Sequence, residues 1–216
     1  MLAEPAPLWE RPELRDAAGL TLRPGGFSLT DRGAELIGLL PGWRVLDVGS
    51  GLGATTSRLR ARYGAEAYGV EPSSVQVERA ESRIGLVQAL GDELPFTNGA
   101  FKAIFCECVF SLFPVPGVGL SEFRRVLEPG GFLVLSDLCS GDSGTAGGGS
   151  CADRAVPLRR TRDLLEAAGF TIFAVEDHTR LLRELAARLA FAGSSECLCN
   201  RGKLGYYLMI AQKKEC

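Results

Sequence analysis

Short apolar runs alternate with amphipathic segments along most of this chain. The runs that favour strands are WRVLDV at 43–48, AYGV at 67–70, LVQAL at 86–90, AFKAIFC at 100–106, FLVLSDL at 132–138, TIFAVEDH at 171–178 and LGYYLMIAQ at 204–212. The segments with helical spacing are 29–40, TTSRLRARYG, 73–83, LSEFRRVL, TRDLLEAAGF and RLLRELAARLAF. Because strands and helices alternate, the pattern predicts an α/β fold whose parallel sheet of about seven strands is covered on both faces.

The length of 216 residues predicts one domain, since a domain holds roughly 100–200 residues. Residues 1–42 are interpreted as an N-terminal extension and a helix that pack on the core, and residues 43–216 as the main domain. Within that domain, the Gly- and Ser-rich stretch 139–151 predicts a surface loop. The amphipathic helix at 180–191 is expected to pack over the sheet or the mouth of the site rather than on a membrane, and with the loop it is a candidate lid.

The charge balance disfavours nucleic acid as a partner. Lys and Arg number 24 against 26 Asp and Glu, so the chain has no net positive field to attract phosphates. No apolar run approaches the ~20 residues of a membrane span, and the first residues lack a signal-peptide pattern. These observations predict a cytoplasmic protein that acts on a small molecule. In that compartment the seven cysteines would stay reduced, so we do not expect a disulfide framework.

A glycine cluster follows the first predicted strand. Gly49, Gly51 and Gly53 allow the backbone to turn sharply and approach a ligand, and the next helix offers free N–H groups. Glu71 ends the second strand, where a carboxylate can accept hydrogen bonds from the two hydroxyls of a ribose. The whole unit predicts a nucleoside-containing cofactor. The spacing of Gly49, Gly51 and Ala54 also fits a dinucleotide fingerprint, and a tight turn without a ligand is the simplest alternative.

Four segments, in order, resemble motifs of the class I S-adenosylmethionine (SAM) methyltransferases. They are VLDVGSGLGATT at 45–56, GVEPS at 69–73, LPF at 94–96 followed by AFKAIFC, and RRVLEPGGFLVLSDL at 124–138. The similarity is greatest to the small-molecule branch, which includes quinone and sterol C-methyltransferases and arsenite methyltransferases. It implies a Rossmann-like three-layer αβα sandwich with an antiparallel last strand. It also implies methyl transfer from SAM to a small acceptor.

The resemblance also implies a set of cofactor-binding residues. The turn with Gly49, Ser50, Gly51 and Gly53 would pass under the methionine and ribose of SAM, with Asp47 nearby. Glu71, followed by Pro72, would hold the ribose hydroxyls, and the backbone carbonyl of Cys106 would accept from the ammonium group. The adenine segment departs from the family pattern: Leu90 stands where the family has Asp, and Lys102 replaces a further Asp. Asp92 is therefore the adenine candidate, in the same segment as Glu93 and Leu94.

Methyl transfer from a sulfonium is an in-line displacement that relies chiefly on positioning. A base is needed only if the acceptor must lose a proton. The catalytic candidates are Glu107, His178, Cys106 and Cys108, all at predicted carboxyl ends of strands. A surface or capping histidine is the simpler interpretation of His178, and a helix N-terminal acid is an equally good interpretation of Glu107.

Two interpretations of the cysteines remain open. Cys106, Cys108 and Cys139 follow strands at the carboxyl edge, and an antiparallel last strand would bring Cys197 and Cys199 there as well. Buried small hydrophobes need no metal, and this is the favoured interpretation. The alternative is a soft metal or metalloid site, with Cys139, Cys197 and Cys199 as candidate ligands.

Two functional alternatives accompany the methyltransferase prediction. A non-catalytic module that binds SAM, or a metal or metalloid through its thiols, is the first, and a methyltransferase for a thiophilic acceptor lies between it and the main prediction. An NAD-type oxidoreductase is disfavoured by Asp47, which precedes the glycine turn, and by the terminal strand.

Overall fold

The strands form one sheet with helices on both faces. The computed structural model describes residues 7–141, 151–191 and 204–215. Its strands are β1 (Arg44–Val48), β2 (Glu66–Val70), β3 (Leu86–Val87), β4 (Phe101–Glu107), β5 (Leu127–Ser140), β6 (Val156–Pro157), β7 (Phe170–Asp177) and β8 (Gly205–Lys213). Its α-helices are α1 (Pro12–Ala18), α2 (Phe27–Leu36), α3 (Ala54–Tyr63), α4 (Ser74–Arg79), α5 (Pro116–Val126), α6 (Leu158–Ala167) and α7 (Thr179–Phe191).

The sheet has the order β3-β2-β1-β4-β5-β8-β7, and the two-residue β6 pairs with β5 beside this path. Strand β8 runs antiparallel to both β5 and β7, whereas the pairs among β1 to β6 are parallel. The predicted α/β class and the antiparallel last strand are therefore confirmed. The strand that the sequence pattern missed is β6, which is too short to show a hydrophobic period.

The central strands are buried because each face of the sheet carries a helical layer. Leu46 and Ile104 point into one core cluster, together with Phe123 of α5 and Leu165 of α6. Their neighbours along the strands point into a second cluster on the opposite face, which contains Leu29, Val45, Leu59, Phe105 and Leu182 from α2, β1, α3, β4 and α7. This alternation explains why β1 and β4 are apolar at nearly every position. The three-layer arrangement is confirmed.

Several boundaries differ from the predicted ones. The first long helix begins at Phe27, not at Leu29, because Gly26 has a φ of 55° that starts it there, and it ends at Leu36. Helix α4 is capped by Ser73, whose Oγ accepts from the N–H of Gln76, but it ends at Arg79 and not at the predicted Arg83 because Ala80 is extended. Strand β3 keeps only two of the five predicted residues.

Helix α1 of the N-terminal segment packs on α7 of the main domain. Leu14 and Ala17 of α1 contact Leu185 and Leu189 of α7 in a third apolar cluster. The guanidinium of Arg188 also donates to the carbonyl of Ala17 at 3.1 Å. The apolar face of α7, predicted to cover the sheet or the site, is thus covered in turn by α1.

No helix in the described ranges combines the length and apolar character that a membrane span requires. The domain boundary at residue 42 and the cytoplasmic location stay predictions. The candidate lid loop lies largely outside the described residues, as do the candidate ligands Cys197 and Cys199.

Candidate active site

A cavity of about 390 Å³ opens at the carboxyl ends of β1, β2 and β4. The chain winds from β1 in one direction to form β2 and β3, and then crosses to the other side of β1 to form β4 and β5. Ligands of open α/β sheets bind where the winding direction changes in this way. The volume falls in the ~300–1,000 Å³ range of small-molecule sites. Its lining residues are Trp9, Leu20, Thr21, Leu22, Arg23, Asp47, Val48, Gly49, Ser50, Gly51, Ala54, Thr55, Glu71, Pro72, Gln76, Leu90, Gly91, Asp92, Glu107, Cys108, Val109, Leu112, Phe113, Pro114 and Arg154.

The glycine turn forms the floor of this cavity. Gly49 and Gly51 have φ values of 71° and 51°, a left-handed conformation that side-chain-bearing residues adopt at a cost. The N–H groups of Gly49 and Ser50 donate to the carbonyl of Val70 at 2.9 and 3.0 Å. These bonds join the turn after β1 to the end of β2.

Glu71 fixes the same turn through its side chain. Its Oε2 accepts from the N–H of Gly51 at 2.9 Å, and its Oε1 accepts from the N–H of Ser73 at 2.9 Å. The carboxylate is buried, with 6% exposure, yet it lines the cavity. Burial raises the pKa of Glu71, and the two backbone N–H groups lower it. A carboxylate so placed joins the turn after β1 to the start of α4 and still faces the cavity.

Two buried polar atoms at the floor carry no hydrogen bond within the described residues. They are Oδ2 of Asp47 and Oγ of Ser50. The pKa of Asp47 is raised to about 8, chiefly by burial and also by the negative charges of Glu107 and Glu71, while Arg23 opposes the shift. Because buried polar atoms normally have partners, these two are available to the polar groups of a ligand.

A buried ion pair forms the rear wall of the cavity. The guanidinium of Arg23 lies 2.7 Å from Glu107 Oε2, and both side chains are nearly inaccessible. The hydroxyls of Thr30 and Thr55 donate to the Glu107 carboxylate at 3.2 and 3.3 Å. Burial raises the pKa of Glu107, and Arg23 is the largest opposing influence. Glu107 therefore faces the cavity but is held by one cation and two hydroxyls.

The N-terminal extension contributes the upper wall. Trp9, Leu20 and Leu22 line the cavity. The carbonyl of Trp9 accepts from the side-chain amide of Gln76 at 2.5 Å, and Glu10 accepts from the hydroxyl of Ser73 at 2.7 Å. Sequence reasoning did not assign these residues or Arg23 to the site, because no motif marks them and their positions depend on how the extension packs.

The predicted cofactor residues divide into two groups. Asp47, Gly49, Ser50, Gly51, Glu71, Pro72 and Asp92 line the cavity. Gly53, Glu93, Leu94 and Cys106 do not. The N–H of Leu94 is bonded to Glu122 at 2.8 Å, and Gly53 serves as the N-cap of α3.

The predicted catalytic candidates lie in different places, and only some of them line the cavity. Cys108 lines the cavity beside Glu107, whereas Cys106 is fully buried in the core. Burial and the nearby Asp137 raise the pKa of the Cys106 thiol well above its usual range, which fits a core thiol. His178 does not line the cavity, and its Nε2 lies 3.2 Å from Glu176. The described residues contain no group of three or more side chains suited to hold a metal ion.

The chain is similar to methyltransferases in both sequence and structure. Residues 46–135 match a family described as a methyltransferase domain. The O-methyltransferase cnsE of Penicillium expansum is 28% identical over 95% of this chain and 83% of its own length. The chain spans only about a third to a half of several other curated relatives.

Solved structures give the same result. One is the phosphoethanolamine N-methyltransferase 2 of Haemonchus contortus, in complex with S-adenosylhomocysteine. It superposes with a TM-score of 0.77 at 19% identity, and the match covers 94% of this chain and 56% of that enzyme's chain. The [4+2]-cyclase SpnF superposes with a TM-score of 0.75 at 25% identity and covers 88% and 81%.

The matched segment and these relatives support the class I SAM-dependent methyltransferase family that the motifs predict. SAM is the cofactor that this resemblance implies, and the Haemonchus contortus enzyme is in complex with S-adenosylhomocysteine in its solved structure. Among the described residues of this methyltransferase, the glycine turn, Glu71 and the unpartnered atoms of Asp47 and Ser50 are the groups that fit such a cofactor. The cyclase similarity shows that this fold also carries other chemistry, so the reaction needs its own test.

We expect Gly49→Ala to destabilise the protein more than Gly99→Ala. Both glycines have a left-handed φ, but a Cβ at Gly49 would lie 2.3 Å from Val109 Cγ2, whereas nothing lies within 4 Å of one at Gly99. The extra overlap should cost about 1–3 kcal/mol of unfolding free energy. Urea unfolding of the two variants measures the difference. Equal losses would mean that Val109 moves aside freely and that the turn is not tightly packed.

Proposed function

We propose that this methyltransferase binds SAM in the described cavity through Glu71 and transfers the methyl group to a small, largely apolar acceptor. The position of Glu71 carries the proposal. Its carboxylate holds the glycine turn and α4 with one hydrogen bond each and faces the cavity. Each oxygen keeps a further acceptor site, so the pair of vicinal hydroxyls of a ribose can bind to it.

The space above the turn supports this proposal. A Cβ at Gly51 would meet only Leu22, at 3.8 Å, so the backbone there leaves room for a ligand. Beside it, the buried oxygens of Asp47 and Ser50 lack partners in the described chain. An ammonium group can donate hydrogen bonds to both oxygens. Its positive charge would also favour the charged form of Asp47. We propose that these residues hold the amino-acid end of SAM.

Asp92 remains the proposed adenine contact. It lines the cavity, as does its chain neighbour Gly91. A side chain at Gly91 would overlap Phe113 and Val48, so the backbone here packs closely on two apolar residues that also line the cavity. An apolar wall with one carboxylate suits a base with an exocyclic amine.

The acceptor side of the cavity is mostly apolar. Val109, Leu112, Phe113 and Pro114 line it, with Cys108 and the guanidinium of Arg154 as its polar groups. When bound, SAM supplies an electrophilic methyl group. The residues of the chain would position the acceptor and exclude water, and this ordering is worth up to about 7–11 kcal/mol of a barrier. Because Glu107 is ion-paired with Arg23, we do not assign it as a free base.

The function is tested by supplying SAM with labelled methyl and a small-molecule extract filtered below about 1 kDa. We expect the label in the small-molecule fraction and a matching amount of S-adenosylhomocysteine. SAM, but not NAD, should also raise the melting temperature of the protein. Label transferred only to macromolecules, or stabilisation by NAD instead of SAM, would contradict the proposal.

Glu71→Ala should weaken SAM binding by at least about tenfold, because hydrogen bonds to a charged acceptor contribute roughly 1.5–3 kcal/mol each. Titration calorimetry measures the change. Glu93→Ala is the matched control, since Glu93 is among the predicted cofactor-binding residues but does not line the cavity. The affinity of this variant for SAM should stay unchanged. Glu71→Gln keeps one oxygen for a backbone N–H and should give an intermediate loss. An unchanged affinity in Glu71→Ala would exclude the ribose role.

SAM binding should release a proton near neutral pH. With a pKa of about 8, Asp47 is mostly protonated at pH 7, and an adjacent ammonium would lower that pKa and displace the proton. The affinity should therefore rise as the pH increases from 6 towards 8. Calorimetry in buffers of different ionisation enthalpy measures the proton release. Asp47→Asn should abolish the release, and release that persists in that variant would assign the proton to another group.

A further inference from the structure

Two thiols that sequence reasoning did not pair lie against each other beside the cavity. Cys108 Sγ is 4.0 Å from Cys151 Sγ, across 43 residues of chain. Both are free cysteines and both are half-buried. They also contact the second core cluster, on the face of the sheet that carries α2 and α3.

Cys108 is held in an unusual backbone conformation. Its φ is 63°, which a residue with a side chain adopts only at a cost. Its N–H donates to the carbonyl of Ser136 at 2.6 Å. The conformation is thus fixed by the neighbouring strand, and the side chain lies at the cavity wall between Glu107 and Val109.

Cys151 belongs to a second segment that reaches the cavity. It begins a turn that leads to Arg154, whose guanidinium lines the cavity and donates to the carbonyl of Leu112 at 3.0 Å. The two thiols therefore connect the wall after β4 with the segment that carries Arg154 to the cavity. A covalent link between them would act on both at once.

We propose that Cys108 and Cys151 form a redox modification site, at which a small-molecule disulfide oxidises the two thiols to an intramolecular disulfide that lowers the activity of the adjacent site. The formation of this bond is independent of the proposed function, but its effect on turnover rests on that function. The described residues offer no third ligand that would make the pair a metal site.

The reaction is a thiol–disulfide exchange in two steps. The thiolate of Cys151 attacks one sulfur of the external disulfide RSSR, which forms a mixed disulfide and releases RSH after protonation. Cys108 then loses its proton and attacks the Cys151 sulfur, which releases the second RSH. Two protein thiols are oxidised and one external disulfide is reduced to two thiols.

The environment of Cys108 assigns the order of attack. The Cys151 contact and burial raise the pKa of the Cys108 thiol well above its usual range. Because the thiolate is the nucleophile, Cys108 is poorly suited to the first step and suited to resolve the mixed disulfide. The second step should accelerate as the pH rises.

Closing the bond draws the Cys108 side chain, which is part of the cavity wall, towards Cys151. The two sulfur atoms have to approach by about 2 Å to reach the ~2.05 Å length of a disulfide. The neighbours of Cys108 in the chain are Glu107, which holds Arg23, and Val109, which packs against Gly49. A shift of this segment therefore reaches both the rear wall and the glycine turn.

The experiment treats the full chain with glutathione disulfide at alkaline pH and maps the peptides by mass spectrometry. We expect one peptide pair linked through Cys108 and Cys151, with the loss of two hydrogens. SAM affinity or turnover should fall by about fivefold or more and recover with dithiothreitol.

Two variants control this experiment. Cys151→Ser should keep the activity of the reduced wild-type protein and lose the sensitivity to glutathione disulfide. Cys139→Ser is the matched control, since Cys139 is also half-buried but its sulfur lies beside Gly205, and this variant should stay sensitive.

Several outcomes would overturn the inference. They are the absence of the linked pair after exhaustive oxidation, a link that uses other cysteines instead, and a complete link with unchanged SAM affinity and turnover. Failure of the proposed function is distinguishable, because the reduced wild-type protein would then neither bind SAM nor transfer a methyl group, while the peptide map would still decide whether the disulfide forms.

Discussion

One carboxylate holds the architecture of the site together. Glu71 accepts an N–H from Gly51 and another from Ser73, and so ties the turn after β1 to the start of α4. The contact requires that β1 and β2 pair in register, which brings Val48 opposite Val70. A shift of one residue would move Glu71 to the other face of the sheet. The sheet register therefore sets the floor of the cavity, and the floor determines what the cavity can bind.

The charges of the cavity depend on a residue from outside the main sheet. Asp47, Glu71 and Glu107 are buried close enough that the charges of Glu107 and Glu71 raise the pKa of Asp47. Arg23 opposes this repulsion and pairs directly with Glu107. Breaking a buried pair leaves an uncompensated charge, which commonly costs about 3–5 kcal/mol. The N-terminal extension therefore balances the charge of the site as well as covering it.

Those parts of the site that depend on local sequence could be predicted, and those that depend on distant packing could not. The glycine turn and Glu71 each follow directly from a strand end, so position in the chain implies position in space. Arg23 and Trp9 reach the cavity only because the extension packs against α4 and the core, and no local pattern encodes that path. Side-chain direction follows the strand only as far as its end: Cys106 points into the core and its strand neighbour Glu107 lines the cavity, whereas Cys108 lies beyond β4 and reaches the cavity through its own backbone conformation.

The ion pair also bears on the chemistry. A base must be free to take a proton, but Glu107 accepts two hydroxyl hydrogen bonds and contacts a guanidinium at 2.7 Å. To act on an acceptor it would have to leave Arg23 as a buried cation without its partner, which adds to the barrier instead of lowering it. The described wall therefore favours acceptors whose nucleophilic atom needs little help with deprotonation. For such an acceptor, the rate would depend on how well the apolar wall, which includes Val109 after β4, aligns it with the methyl donor.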